Sequence, residues 1–350
     1  MIGYTPISKE NAFFACANSG YGFVSHFDEL FKDCARLYLL KGGPGTGKSG
    51  FMEQVAKAAT AQGHAVSRIL CSSDPHSLDG ILLPERGIGM ADGTAPHVLE
   101  ATLPGAREQI LDPGAFWDHN ALYERQREIK ELNGRKKKLY STALSLIEGA
   151  KNVALCQQGI LSDHTDHGKT ERLLKKLQAK VSAKKGACRT RFLSAIGMEG
   201  AVTLDGYSSS ADRVYTILPY MEQEHLLLQR LLAAFLERES ELILFKDPVS
   251  LLPEGIYFEE QRVLFRCGKA LDSEKEGIID SKKTVPSLSK EDKKLLRRLE
   301  KEKQDLVDDG CLFLSGMKDC HFKLEQIYGS AMDFAAFEEY KERWIGQILS

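Results

Sequence analysis

Leu37-Tyr38-Leu39-Leu40-Lys41-Gly42-Gly43-Pro44-Gly45-Thr46-Gly47-Lys48-Ser49 reads as an apolar strand, a glycine-rich turn and a Lys-Ser pair that opens a helix. Residues 42–49 satisfy G-x-x-x-x-G-K-S, the spacing of a phosphate-cradling loop. Gly42, Gly43, Gly45 and Gly47 carry no Cβ, so the backbone can curl there and bring its N–H groups close to phosphate oxygens. Pro44 and Thr46 complete the loop. The helix predicted from Lys48 to about residue 62 aims its positive dipole end and its first amides at the same point. Lys48 is placed to reach the β- and γ-phosphates, and the Ser49 hydroxyl to ligate Mg²⁺. A coincidental Lys-Ser after a glycine turn would explain the loop alone, not the strand before it and the helix after it. The stretch predicts a bound nucleoside triphosphate, ATP by the usual bias, together with Mg²⁺.

The chain has 350 residues, of which 43% are hydrophobic and 27% charged, and its formal net charge is −2. These values suit a globular protein of two ordinary domains and supply no global basic field for nucleic acid or an acidic membrane. No apolar run approaches the length of a membrane span, and the first residues lack the charged and apolar regions of a signal peptide. Eight cysteines are scattered without a C-x-x-C pair. That pattern predicts neither a zinc site nor a disulfide framework, and a cytoplasmic location.

The two halves repeat. Phe14-Ala15-Cys16-Ala17-Asn18-Ser19-Gly20-Tyr21-Gly22 aligns without a gap on Phe192-Leu193-Ser194-Ala195-Ile196-Gly197-Met198-Glu199-Gly200. Arg36-Leu37-Tyr38 matches Arg213-Val214-Tyr215, and Asp74-Pro75-His76-Ser77-Leu78 matches Asp247-Pro248-Val249-Ser250-Leu251. Asp79-Gly80-Ile81 through Asp92-Gly93 runs against Glu254-Gly255-Ile256 through Cys267-Gly268. The offsets are 192 − 14 = 178, 213 − 36 = 177, 247 − 74 = 173 and 254 − 79 = 175. Ordered matches at nearly constant spacing indicate a duplication, with lobes over residues 1–186 and 187–350.

In the first half, strands are expected over 13–17, 37–40, 65–71, 81–83 and 87–91, with helices over 27–34 and 48–62. Strands alternating with helices imply an α/β fold, a mostly parallel sheet covered on both faces. A charged helical hairpin follows in each half, over about 116–184 and about 288–350. Leu122, Ile129, Leu132, Leu139, Ala143 and Leu146 form its first stripe, and a second helix over 171–184 is expected to fold back on it. Gly316-Met317-Lys318 echoes Gly149-Ala150-Lys151. The basic run Arg135-Lys136-Lys137-Lys138 reads as a solvated helix face.

The segment of the second half aligned with the loop, Ile217-Leu218-Pro219-Tyr220-Met221-Glu222-Gln223-Glu224, has neither glycine nor Lys-Ser. The fold is expected to persist there without the nucleotide site. Asp92 ends a strand-like run and has Cys267 opposite it, so its acid is absent where the loop is absent; it is the expected second carboxylate on the Mg²⁺ side. Asp74 has Asp247 opposite it and reads as a turn residue. His97 is a weaker candidate near the γ-phosphate or an acceptor. Asp163-His164-Thr165-Asp166-His167 has metal-capable residues but no further ligand cluster, and reads as an inter-helix loop. Arg68, Arg86 and Arg107 are all eligible as an arginine finger, and none stands out.

With these residues in hand, the chain resembles a bacterial family of tandem P-loop proteins labelled ATPase or nucleotide-kinase-like. The residues that carry the resemblance are Phe14-Ala15-Cys16-Ala17-Asn18, Leu40 to Ser49, Cys71-Ser72-Ser73-Asp74 with Ser77-Leu78-Asp79-Gly80, and Asp92-Gly93-Thr94-Ala95-Pro96-His97. In that family the second half commonly has its own G-x-x-x-x-G-K-[ST], from which Leu218 to Glu224 departs. The resemblance implies ATP binding and hydrolysis; the residues themselves are read as one working site, with Lys48 and Asp92 as the chemical residues and Ser49 and Asp92 on the metal. Two rivals remain: a small-molecule or nucleotide kinase, with Asp74 or His97 serving the acceptor, and a nucleotide-gated module that docks a protein partner through the degenerate lobe or the helical extensions.

Overall fold

The computed structural model describes residues 5–7, 11–96, 98–182, 184–271, 273–285 and 287–350. Each half builds one six-stranded sheet. The strands of the first half are β1 (Thr5–Ile7), β2 (Ala12–Phe14), β3 (Cys16–Ser19), β4 (Gly22–Ser25), β5 (Arg36–Leu40), β6 (Ser67–Leu70), β7 (Leu78–Leu83), β8 (Ile88–Asp92) and β9 (Glu108–Leu111). Those of the second are β10 (Cys188–Arg191), β11 (Ser194–Gly197), β12 (Gly200–Leu204), β13 (Arg213–Leu218), β14 (Leu242–Lys246), β15 (Pro253–Phe258), β16 (Val263–Cys267) and β17 (Glu276–Asp280). The sheets run β2-β6-β7-β8-β5-β9 and β10-β14-β15-β16-β13-β17, the same order with every strand number raised by eight.

Both sheets are mixed. β7 and β15 lie antiparallel to their neighbours, while the other adjacent strands run parallel. The short connection from β6 to β7 cannot make the crossover that a parallel pair requires, so the chain returns as a hairpin. The single strand expected over 13–17 is two. β2 joins the six-stranded sheet, and β3 pairs instead with β4 in a separate hairpin, so the run divides at Ala15.

The halves meet about a pseudo-two-fold axis. Phe14 and Phe192, equivalent in the repeat, exchange backbone hydrogen bonds: Phe14 N donates to Phe192 O at 2.9 Å and Phe192 N to Phe14 O at 2.8 Å. Equivalent residues in mutual contact are what such an axis demands. Asn18 Nδ2 donates to Ile196 O at 2.8 Å, again across an offset of 178. The hairpin tips press into the opposite lobe. A Cβ added at Gly20 would lie 2.6 Å from Val249 O, and one at Gly197 2.5 Å from Ser72 O, so both positions require glycine.

The helices are α1 (Phe27–Phe31), α2 (Lys48–Ala61), α3 (His119–Glu124), α4 (Gln126–His164), α5 (His167–Gln178), α6 (Gly206–Ser210), α7 (Gln223–Leu236), α8 (Lys290–Ser315), α9 (Lys318–Ser330) and α10 (Phe334–Leu349). The expected hairpin within each half is replaced by packing between halves. α4 and α8 run antiparallel, with Gly149 against Leu306 and, in the equivalent pair, Gly316 against Leu139. Ala143 is buried as expected, but Ile147 rather than Leu146 continues the seam. α5 covers 167–178 rather than 171–184 and lies on α7 of the other lobe, where Leu174 and Leu177 join the core around Leu227, Leu228 and Leu231. α10 reciprocates on α2, with the Phe51 and Phe337 rings edge to face at 6.1 Å. Asp166 and Asp333 cap these closing helices and donate their own amides to Thr284 O (2.8 Å) and Phe116 O (2.9 Å) of the lobes they join. Asp166 is thus a helix cap, and among the described residues no group of three or more His, Cys, Asp or Glu can hold a metal ion. No helix of the described residues is long and apolar enough to cross a membrane.

Candidate functional site

The loop of residues 41–47 links the carboxyl end of β5 to α2. Gly45 (φ 72°) and Gly47 (φ 79°) take left-handed conformations, and Gly47 caps the helix. Only glycine adopts such angles without steric cost, which explains two of the four loop glycines. Thr46 is buried and its Oγ1 donates to Gly43 O at 2.9 Å, closing the curl from inside. The first amides of α2 have no intrahelical acceptor and point along the helix axis toward the loop.

Lys48 folds back over this curl. Its Nζ donates to Gly42 O and Gly43 O, both at 2.7 Å, and stands 3.5 Å from Asp92 Oδ2. Asp92 arrives there because β8 is parallel to β5 with Asp92 in register with Leu40. Both side chains are mostly buried, at 10% exposure for Lys48 and 17% for Asp92. Burial pushes the Asp92 carboxyl above its ordinary range; Lys48 and Thr94 pull against this, and the buried Asp79 adds to it. Asp92 Oδ1 accepts from Thr94 N at 2.9 Å and from the Thr94 hydroxyl. Ser49 Oγ accepts from Leu78 N at 2.9 Å, which fixes the hydroxyl beside the β7 edge. Lys41 ties down the segment after Asp92, donating to Gly93 O and Leu99 O at 2.8 Å each. His97 lies outside the described residues. Asp74 stays apart as a turn residue, its Oδ1 accepting from His76 N at 3.1 Å and its carbonyl from Ser77 N at 2.9 Å.

Four residues that motif reading does not reach close over the loop. A Cβ on Gly43 would lie 3.3 Å from the Trp117 ring, one on Gly45 2.5 Å from Glu325 O, and one on Gly47 3.3 Å from Phe337. Tyr328 packs against Trp117 with the rings tilted by 40° and their centroids 5.2 Å apart. The glycines therefore serve a second purpose, admitting α9 and α10 from the far end of the chain. Lys136 departs from the solvated face expected of its basic run. It turns inward, with Nζ 3.3 Å from His321 Nδ1, and His321 Nε2 lies 3.4 Å from Glu325 Oε1. Burial pushes the Lys136 amine below its ordinary value, and the hydrogen bond from His321 holds the Glu325 carboxyl low.

The equivalent place in the second lobe is filled by protein. Only residues 219–222 separate β13 from α7, against 41–47 in the first lobe. Glu222 is buried and its carboxylate pairs with Lys303 Nζ. Gln223 and Glu224 occupy the places of Lys48 and Ser49; Gln223 Nε2 donates to Thr284 Oγ1 at 2.8 Å, and Glu224 Oε2 accepts from Tyr220 N at 2.7 Å. Burial works to raise the Glu222 carboxyl, but Lys303 and His225 hold it below its ordinary value. Burial likewise opposes charge on His225, yet Glu222, Glu224 and Asp247 outweigh it and hold the imidazole up to about 9.

Comparison with protein-family models, curated proteins and solved structures found no match. The functional reading therefore rests on the geometry of this chain.

Proposed function

We propose that the chain binds ATP with Mg²⁺ at residues 42–49 and hydrolyses the bond between the β- and γ-phosphates, as a P-loop NTPase with one working site. The observation that carries this reading is the convergence of Lys48, the Ser49 hydroxyl and the Asp92 carboxylate on one strand-to-helix turn. That turn lies at the carboxyl ends of two adjacent parallel strands, where α/β sheets bind their ligands. The loop amides and the first turn of α2 would cradle the phosphates, and Lys48 would exchange the carbonyls of Gly42 and Gly43 for phosphate oxygens.

Ser49 and Asp92 are hard oxygen donors of the kind Mg²⁺ takes. Their hydrogen bonds suit that role, since Thr94 occupies Asp92 Oδ1 and leaves Oδ2 on the Lys48 side. Bound Mg²⁺ would supply charge neutralisation across the β- and γ-oxygens. Water attacks the γ-phosphorus as the bond to ADP breaks, and Asp92 orients that water and takes up its proton. Most of the catalysis is positioning and charge stabilisation. The resemblance to tandem P-loop ATPases agrees with the same reading.

ADP release by the purified chain tests this. Mg²⁺-dependent release without any acceptor, lost in Lys48→Ala, is the expected result. Release only on adding a nucleoside or metabolite would make the protein a kinase, and tight ATP binding without turnover would leave a nucleotide-gated interaction module.

A further inference from the structure

Lys303 of α8 and Lys136 of α4 are the same residue of the repeat. The echo of Gly149-Ala150-Lys151 in Gly316-Met317-Lys318 sets the register of the helical segments at 316 − 149 = 167, and 303 − 136 = 167. The packing obeys this register, because Gly149 meets Leu306 while Gly316 meets Leu139. The two lysines also face equivalent places. Lys303 reaches the turn before α7 and binds Glu222, which stands where Gly47 stands before α2 (222 − 47 = 175). Lys136 joins His321 and Glu325, and the Glu325 backbone rests on Gly45 of the loop.

The difference between them is the counter-charge. In the second lobe the loop itself supplies a carboxylate, and Glu300 adds another at 3.0 Å. In the first lobe the loop is glycine at that position, and among the described residues the Lys136 ammonium meets a ring nitrogen rather than a carboxylate at ion-pair distance. If the ammonium donates to His321 Nδ1, the ring proton sits on Nε2 and points to Glu325. A half-buried cation one helix away from a glycine-rich loop calls for an anionic partner, and its buried twin Lys303 shows where that anion belongs.

We propose that Lys136 contacts the phosphates of the nucleotide bound at residues 42–49, supplying from α4 a cation in addition to Lys48. Glu222 is then the second lobe's built-in substitute for that ligand. The proposal rests on the nucleotide-binding reading given above. Calorimetry on the full chain would titrate MgATP and, separately, inorganic tripolyphosphate into wild type, Lys136→Met, Lys136→Arg and Lys137→Met. Losing a charge-assisted hydrogen bond predicts roughly ten- to hundredfold weaker binding of both probes to Lys136→Met. Lys136→Arg should recover most of the loss, and Lys137→Met should match wild type. Differential acetylation of the wild-type chain, read residue by residue by mass spectrometry, needs no variant: MgATP should protect Lys136 but not Lys137 or Lys138. Wild-type affinity in Lys136→Met, or no protection of Lys136 while MgATP is bound, would overturn the proposal and leave the nucleotide site standing. Failure of wild type to bind MgATP would overturn both.

Discussion

Glu222 holds the left-handed backbone position that Gly47 holds in the other lobe, with φ of 81° against 79°. A charged residue keeps the costly turn, and its carboxylate lies buried against Lys303. The turn is retained, with a carboxylate where the first lobe has glycine. Removing Glu222 leaves Lys303 with Glu300 alone at 3.0 Å, so the cost falls short of a fully uncompensated buried charge, at about 1–3 kcal/mol. Glu222→Gln should lower the denaturant midpoint accordingly, and adding Lys303→Met should restore much of the loss. A single variant as stable as wild type would show that the pair does not hold the second turn.

One nucleotide should bind per chain. Calorimetry on wild type is expected to return a stoichiometry of one, and Lys48→Ala to abolish turnover. Asp92→Asn should lose about 10²–10⁴-fold in turnover, the usual contribution of a proton-accepting group, with a smaller effect on ATP affinity. A stoichiometry of two would place a second site in the lobe that Glu222 and Lys303 fill.

Stability should fall as pH rises from 6.5 toward 9. His225 is held up to about 9 against an ordinary imidazole value of 6.5, so its protonated form is favoured in the folded chain. Its contribution is complete below 6.5 and is lost as pH passes through the folded value, about 3 kcal/mol at most for a shift of this size. Glu254 acts in the same direction at lower pH. Burial, helped by Asp247, raises its carboxyl from 4.5 to about 7, so its contribution fades across that window. Urea titrations at several pH values would measure both losses. A flat profile between 6.5 and 9 would rule out a charged His225.

Gly197→Ala should damage the interface between the lobes. Its Cβ would be forced against Ser72 O, and overpacking of this kind costs typically 1–3 kcal/mol. Gly20→Ala, at the equivalent tip against Val249 O, should cost a similar amount. Asn18 of the first hairpin bonds Ile196 of the second at 2.8 Å, so the two contacts share one packed seam and the double variant should depart from the simple sum; thermal melts of the three variants would check it.

Much of the arrangement around the loop was legible from residues 37–49 and from the repeat. The strand, the curl and the helix each have a local cause, and Asp92 follows from a strand that must end beside Leu40. Ala12–Phe14 and Cys16–Ser19 were not separable, because strands this short fall below any periodicity that distinguishes one sheet from another. The destination of α5 and α10 was also hidden. A stripe such as that through Leu174 and Leu177 declares that a face is buried, not which lobe buries it. Lys136 disappears within a basic run for the same reason, and only the register that pairs it with Lys303 sets it apart from its neighbours.

The closing helices impose an order on synthesis. The loop at 42–49 leaves the ribosome well before Glu325 and Phe337, which lie on it and are made about 280 residues later (325 − 45 = 280). Until α9 and α10 have been translated, the loop lacks its cover, however completely its own sheet has formed. The nascent first lobe therefore exposes Phe51 and its α2 neighbours until α10 has been made, and a chain that stalls before then leaves that face uncovered.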